Sequence, residues 1–356
     1  MPRTLIVGFG RAGHGLHWSV LRRLRGMERV AHLFSQLPPV VYDSDPIAKH
    51  LTDPSVYAVP TLTRARDLLD PEDTIVHLCT PPTNRLQPLK ELADLGFTKI
   101  LVEKPLVATV DELPAIDALR RERGLELMVV AHWLESALTR RLRALVASGD
   151  LGELKTVFIA QRKPRIARTL STIGHPTTFD VELPHSVGVV LSLAGDAATA
   201  GAELHDMQVK GAVVPEMGAA RLLLDHYGGV RTEIFSDLAA PVRERVIQLG
   251  FSDGWAVGHY PISEADDYAH LDTSVEGLIP HSVFRDDSLA RFLVHAYEQF
   301  TNGADLDADF RLNTRVTGIL AEAKRFARGA RAAAAEHAFA TGVGEESRPE
   351  VLPHAS

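Results

Sequence analysis

A glycine-rich turn inside the first thirteen residues limits this chain more than any other feature. Leu5-Ile6-Val7 reads as a buried strand and runs directly into Gly8-Phe9-Gly10-Arg11-Ala12-Gly13. The stretch that follows, residues 14–25, has the apolar spacing of an amphipathic helix. In this strand–turn–helix setting Gly8 permits the tight turn and Gly10 lets backbone approach a diphosphate. Gly13 lets the helix pack close to the sheet. The helix start adds unpaired amides and the positive end of its dipole. The expectation is a dinucleotide site built from residues 8 to 13.

Such a site needs an acid after the second strand, and Val40-Val41-Tyr42-Asp43 supplies one. The Asp43 carboxylate would accept the adenosine-ribose hydroxyls. Asp45 follows, and no Lys or Arg occurs before Lys49, so a 2′-phosphate would meet two carboxylates and no adjacent cation. NAD is therefore expected in preference to NADP. Gly13 and Asp43 are 30 positions apart (43 − 13), where the fingerprint usually gives about 20. Either a longer helix or loop across Met27–Pro39 fills the difference, or Asp43 is only a turn residue.

Up to residue 130, short continuously apolar runs (Val40–Tyr42, Thr74–Cys79, Ile100–Val102, Leu127–Ala131) alternate with helical patterns near 63–69, 84–95 and 109–123. Strands apolar on both faces belong to a parallel sheet covered by helices on each side, so the region reads as doubly wound α/β. After residue 150 the strand runs Thr156–Gln161, Met207–Val214, Ala220–Tyr227, Val230–Phe235 and Val246–Phe251 follow one another without obligatory helices. Gly228-Gly229 is a hairpin signal between two of them. This predicts a mostly antiparallel second region, with helices near 184–194, 287–301 and 311–337. The expected division is a dinucleotide-binding domain over 1–130, an α+β substrate and oligomerisation domain over 131–340, and a frayed tail over 341–356. Charge narrows the partners. Lys and Arg number 38 against 46 Asp and Glu, a net −8, and a net acidic chain without a basic block is a poor binder of nucleic acid or anionic membrane. Cys79 is the only cysteine, which excludes an internal disulfide and a thiolate-rich zinc site. With no secretory-type leader at the N-terminus, a cytoplasmic protein is expected.

Two further strand ends carry polar chemistry. Thr74–Cys79 ends in Thr80-Pro81-Pro82, and Ile100–Val102 ends in Glu103-Lys104-Pro105; ligands of doubly wound folds bind at such carboxyl ends. With Gly-Phe-Gly-Arg-Ala-Gly, Thr-Pro-Pro and Val-Glu-Lys-Pro-Leu in this order, Leu151-Gly152-Glu153 after a helix and Pro184-His185 later, the chain resembles the glucose-fructose oxidoreductase / inositol dehydrogenase / rhizopine catabolism family. The resemblance implies an N-terminal Rossmann domain and a C-terminal open, mostly antiparallel sheet. It further implies a sugar or cyclitol substrate between them and a homodimer or homotetramer. It matches the family lysine to Lys104 and the active-site histidine to His185. The chain departs from the family at Val181, Gly188 and Arg85, where an Asp, an acid and a His are usual. His132-Trp133-Leu134-Glu135 also stands where a Tyr-Arg or Asn-x-Arg pair is common.

His175-Pro-Thr-Thr-Phe-Asp180-Val-Glu182-Leu-Pro-His185 is the densest titratable segment. An imidazole with an ordinary pKa of about 6.5 exchanges protons at neutral pH, and Asp180 or Glu182 would orient the His185 ring and raise its pKa. The bland alternative is that His185 merely opens a core helix. A zinc site is not expected, because the spacing lacks ligand periodicity. On the substrate side the candidates are His132, Trp133, Arg162 and His175. The expected reaction interconverts a secondary alcohol and a ketone on a sugar, amino-sugar or cyclitol ring, His185 serving as acid/base and Lys104 positioning cofactor and reacting oxygen. The rivals are a cofactor-recycling eliminase or glycosidase and a non-catalytic cofactor-sensing regulator.

Overall fold

The computed structural model describes residues 1–45, 49–83, 85–171, 175–209, 211–263, 266–274 and 281–341. Residues 342–356, the greater part of the expected frayed tail, lie outside them. Strands β1 (Arg3–Val7), β2 (Val40–Tyr42), β3 (Tyr57–Ala58), β4 (Thr74–Leu78), β5 (Lys99–Val102) and β6 (Glu126–Val129) form a parallel sheet in the order β3-β2-β1-β4-β5-β6. The strands carry apolar residues on both faces because both faces are covered. Leu5, Val7, Val76, Leu78, Ile100 and Val102 face one core, with helices α2 (Leu62–Leu68), α3 (Leu86–Asp94) and α4 (Leu113–Arg123). Ile6, Val41, Ile75 and Leu101 face the other, with helix α1 (Ser19–Arg25). The strand order reverses at β1, and the glycine turn sits there, where doubly wound sheets leave a crevice.

The long interval before Asp43 is filled by a loop. Helix α1 stops at Gly26, a 3₁₀ turn follows at Ala31–Leu33, and Val30 and Phe34 are buried against the sheet. The sequence therefore regains β2 at Val40, and Asp43 stands immediately beyond it.

The remaining chain builds a second sheet. Helix α5 (Ala137–Ser148) leads to β7 (Leu154–Arg162), and short helices α6 (Ile166–Ser171) and α7 (Thr178–Val181) precede α8 (Leu183–Ala194). Then come β8 (Ala197–Leu204), a small hairpin of β9 (Met207–Val209) and β10 (Ala212–Val214), β11 (Ala219–His226), β12 (Arg231–Asp237), β13 (Glu244–Phe251), β14 (Trp255–His259), β15 (Tyr268–Thr273) and β16 (His281–Arg285). The order is β16-β15-β14-β13-β7-β12-β11-β8, antiparallel except for β12 beside β7. Gly229 turns β11 into β12 at φ +84°, which a side chain disfavours. Helix α8 lies on one face, burying Val187, Val189 and Val190, and helix α10 (Asp307–Thr341) covers the same core with Val316, Ile319 and Leu320. The opposite face leaves Trp255, Tyr268 and Val283 exposed. Among the described residues, no helix is long and apolar enough to cross a membrane.

One element crosses the expected division at residue 130. Helix α9 (Ser288–Asn302) follows the last strand of the second sheet yet buries Phe292, Leu293, Ala296, Tyr297 and Phe300 with Ile6, Phe9, Trp18 and Phe34 of the first. Asp287 caps α9 by accepting from Ala290 N (3.1 Å) and pairs with Arg23 on α1. Here the parallel sheet obtains part of its cover from the far end of the chain.

Candidate active site

The glycine turn has little freedom. Gly8 sits at φ +86°, and a Cβ there would lie 3.0 Å from both the Cys79 carbonyl carbon and Thr80 N. At Gly13 a Cβ would come within 2.1 Å of Gly8 O. At Gly10 a Cβ would meet nothing within 4 Å, so the turn packs tightly below and stays open above. The first helical bonds run from His14 N to Gly10 O (2.8 Å) and from His17 N to Ala12 O (2.9 Å). The amides of residues 10–13 therefore precede the helical ladder. Asp43 accepts from Phe9 N (2.7 Å) and Asp45 N (3.0 Å), which fixes its carboxylate against the turn. Thr80 Oγ1, beside the same turn, is buried without a partner. A turn open only above Gly10, a fixed acid and an unpaired hydroxyl fit a dinucleotide.

The two proline turns are tied together by a residue with no obvious role in the sequence. Arg85, fully buried, donates to Thr80 O (2.7 Å), Pro81 O (3.4 Å) and Glu103 O (2.8 Å). Its burial lowers its pKa to about 10, and Glu103 and Cys79 oppose that shift. Where the related family usually has His, Arg85 thus bridges the carbonyls at the ends of β4 and β5. The Lys104–Pro105 peptide is cis, and Lys104 Nζ crosses to the second region, donating to Val181 O at 2.7 Å. Burial lowers the Lys104 pKa, while Glu182 and Glu103 oppose the shift.

The opposite wall is the segment 175–185. Thr177 and Asp180 form a capping box around α7, with Thr177 N and Oγ1 donating to Asp180 Oδ2 at 3.1 and 2.8 Å. Lys324 Nζ of α10 takes Asp180 Oδ1 at 2.7 Å. Glu182 receives Lys163 on one oxygen and lies 3.7 Å from Arg245 on the other. Burial pushes the Glu182 carboxyl up, yet Lys163, Arg245 and Lys104 outweigh it and bring the pKa to about 2. Neither carboxylate is bonded to the His185 ring. His185 instead lies between His132 (centroids 4.5 Å, edge-on) and Trp133 (5.7 Å, stacked), with Trp133 stacked in turn on Tyr260 at 4.2 Å. His132 Nδ1 meets Ser288 Oγ at 2.7 Å.

This surrounding reverses the expected direction of the His185 pKa. Burial first, then the neighbouring His132 ring, which cannot be charged at the same time, and the cations Lys104 and Arg245 push it well below the ordinary value. His132 and His175 are both brought to about 4, chiefly by burial, with Lys104 nearby in each case. Three neutral imidazoles therefore line a wall bounded by Lys104, Lys163 and Arg245.

Arg162 does not join them. Its strand neighbour Gln161 bonds Ser186 of α8 (2.6 Å), so Arg162 projects from the opposite face. There it pairs with Glu244 and borders an open cavity of about 580 Å³ with His259 and Tyr268. Lys163 lies at the site beside Glu182, in the basic run Arg162-Lys163-Pro164-Arg165, whereas Arg245, Tyr260 and Ser288 take part without any motif to announce them; the side of β13 that carries Arg245 becomes known only once Arg245 is seen opposite Gln161.

A six-stranded doubly wound sheet with this turn, closed by an open sheet that brings a histidine wall to the crevice, belongs to the class of NAD(P)-binding oxidoreductases. Residues 3–131 match the model of the oxidoreductase family with an NAD-binding Rossmann fold. Over that stretch the chain has the NAD-binding domain of that family, the one that includes glucose-fructose oxidoreductase, inositol dehydrogenase and the rhizopine catabolism proteins. Among curated proteins no sequence matches the chain. Solved structures share its fold over nearly the whole length. KijD10, a 3-ketoreductase from Actinomadura kijaniata crystallised with NADP and TDP-benzene, is 15% identical, with 91% of this chain and 97% of that one covered at a TM-score of 0.73. An oxidoreductase from Agrobacterium radiobacter in complex with NAD+, L-tartaric acid and magnesium is 14% identical, covering 92% and 96% at 0.73. The oxidoreductase YvaA from Bacillus subtilis is 18% identical, covering 92% and 98% at 0.70.

Proposed function

We propose that this oxidoreductase interconverts a secondary alcohol and a ketone on a sugar, amino-sugar or cyclitol ring, with NAD preferred to NADP. The observation that carries the reading is the 2.7 Å bond from Lys104 Nζ to Val181 O. It brings the cation of the Glu-Lys-Pro turn to the backbone four residues before His185, so a group held at the glycine crevice and a ring held against the histidine wall meet at Lys104. Residues Gly8 to Gly13, Asp43, Thr80, Pro81, Pro82 and the Glu103-Lys104 turn would hold the coenzyme, which supplies hydride exchange when bound.

The chain's own residues divide the remaining work. Neutral His185 accepts the hydroxyl proton in the oxidative direction, a role that a ring already charged at neutral pH does not fill. Lys104, cationic and partly desolvated, hydrogen-bonds the reacting oxygen and stabilises its developing negative charge. His132, Trp133 and Tyr260 exclude water from the His185 ring. Glu182 holds Lys163 and Arg245 in place as polar walls for hydroxyl groups, and Asp180 serves as a cap and as the anchor of α10. Asp43 and Asp45 support NAD over NADP by repelling a 2′-phosphate. The ligands of two structural neighbours, a TDP compound and L-tartaric acid, support a polyhydroxylated or sugar-linked substrate. Assembly into a homodimer or homotetramer through the open face bearing Trp255 and Tyr268 belongs to the same proposal.

A panel of sugars, amino-sugars, cyclitols and sugar nucleotides, read by NADH absorbance with Lys104→Ala and His185→Ala alongside, tests it. One class should change NADH, and both variants should lose that change while still binding NADH. Near-normal turnover in both variants overturns the site assignment. Product without net NADH change replaces it with the recycling elimination.

A further inference from the structure

The proposed mechanism leaves two buried imidazoles without a task. His17, in the π-helical turn Gly13–Trp18 that leads into α1, and His77, next to the last residue of β4, are each 0% exposed. They stand in a continuous hydrogen-bonded chain. His17 Nε2 meets Glu103 Oε1 at 2.9 Å, His17 Nδ1 meets His77 Nδ1 at 2.7 Å, His77 Nε2 meets Tyr297 Oη at 3.0 Å, and Tyr297 Oη meets Thr4 Oγ1 at 2.7 Å. One end is the Glu-Lys-Pro turn; the other is the start of β1.

Proton accounting leaves this chain two arrangements. An ionised Glu103 only accepts, so His17 Nε2 carries a hydrogen, and one proton lies between the two Nδ1 atoms. If both rings are neutral, every donor points one way, from Thr4 through Tyr297 and His77 to Glu103. If His17 carries both protons, donors point outward from it: one toward Glu103, the other through His77 and Tyr297 to Thr4. The arrangements differ by one charge on the ring that touches Glu103. Burying a carboxylate against a neutral ring leaves its charge poorly compensated, whereas an imidazolium compensates it directly. Facing His17 are Glu103 beyond β5 and His77 and Cys79 at the end of β4. Burial pulls its pKa down, but Cys79 and Glu103 prevail and raise it to about 10. His77 is pushed well below its usual value by burial and then by the His17 charge.

We propose that His17 is a buried imidazolium that holds Glu103 ionised and thereby fixes the Glu103-Lys104-Pro105 turn from beneath, as a positioning residue whose second proton is accepted by His77. The proposal rests on the reading of Lys104 given above. It also ties that turn to α9, because Tyr297 receives the next hydrogen bond in the chain.

Nitrogen NMR of the full chain labelled with ¹⁵N-histidine tests the charge directly. The two ring nitrogens of His17 should both resonate as protonated and stay so from about pH 6 to about pH 9, while His77 shows one protonated and one bare nitrogen. In Glu103→Gln the His17 ring should lose its second proton. Two neutral rings in the unmodified chain, or an unaltered imidazolium in Glu103→Gln, overturns the proposal. Positioning is read by NADH affinity from fluorescence titration. His17→Gln and Glu103→Gln should each weaken binding by about 10-fold, and the double variant should be no weaker than the weaker single, as expected of a coupled pair. Additive losses overturn the coupling. Lys104→Ala, assayed beside them for turnover, reports separately on the earlier reading: near-normal turnover there breaks that reading, whereas a neutral His17 breaks this one.

Discussion

The two walls of the crevice are built on different physical terms. The glycine turn acts through backbone: Gly8 and Gly13 are pressed against carbonyls and amides, Gly10 opens to the crevice, and a single carboxylate, Asp43, is fixed by two amides. The histidine wall acts through side chains whose charge states are set by their neighbours, with Glu182 held ionised by Lys163 and Arg245 and three imidazoles kept neutral by burial and nearby cations. A backbone site tolerates almost no added volume. An electrostatic site tolerates volume better than it tolerates a change of charge.

The sharpest way to break this contrast is to remove the proton acceptor or the cation on the reacting side. His185→Gln and Lys104→Met keep approximate size and should each lower kcat by about 10²–10⁴-fold, the usual worth of a positioned acid/base, with NADH still bound. Volume is the next lever. Gly13→Ala places a methyl 2.1 Å from Gly8 O, so it should cost about 1–3 kcal/mol in urea unfolding and weaken NADH binding, while Gly10→Ala should be tolerated by the fold and reveal itself only in cofactor affinity. A smaller effect is expected at Asp43. Asp43→Asn should narrow the preference for NAD over NADP by about 10-fold in kcat/KM by removing one repulsive charge; a wider preference would contradict the reading.

The smallest effect is the pH dependence of the fold. His132 and His175 have folded pKa values of about 4, below the usual value of 6.5. Above that usual value neither state binds the extra protons, and the neutral wall costs nothing. As pH falls from about 6.5 toward 4 the unfolded chain takes up protons that the folded one refuses, so stability declines across that window and levels off below it. Scanning calorimetry should show Tm falling through this range, and His132→Gln should flatten the slope.

How much of this could be read in the residues follows the same contrast. The glycine turn, the Asp43 strand end and the Gly228-Gly229 hairpin are local patterns with fixed backbone consequences, and each lies where its spacing places it. The wall is assembled from distant elements. Arg245 lies on β13, Lys163 after β7, Ser288 on α9 and Tyr260 after β14, and no local pattern brings them together. The Thr177–Asp180 spacing is a helix-capping signal, and the structure uses Asp180 for that purpose, not to orient His185. No local pattern singles out His17; its fully buried place beside His77 and Glu103 depends on the parallel register of β4 and β5. Strands β14 to β16 are equally hard to see, because their open face carries Trp255, His259, Tyr268 and His281 among polar residues and weakens the apolar signal.

Helix α9 gives the architecture a practical consequence. Phe9, Trp18 and Phe34 owe their dry surroundings to Phe292, Tyr297 and Phe300, which the ribosome delivers more than 250 residues after Trp18. A fragment ending near residue 130 would expose that aromatic seam to water and clump, so the cofactor-binding half should reach its finished form only after translation has passed Phe300.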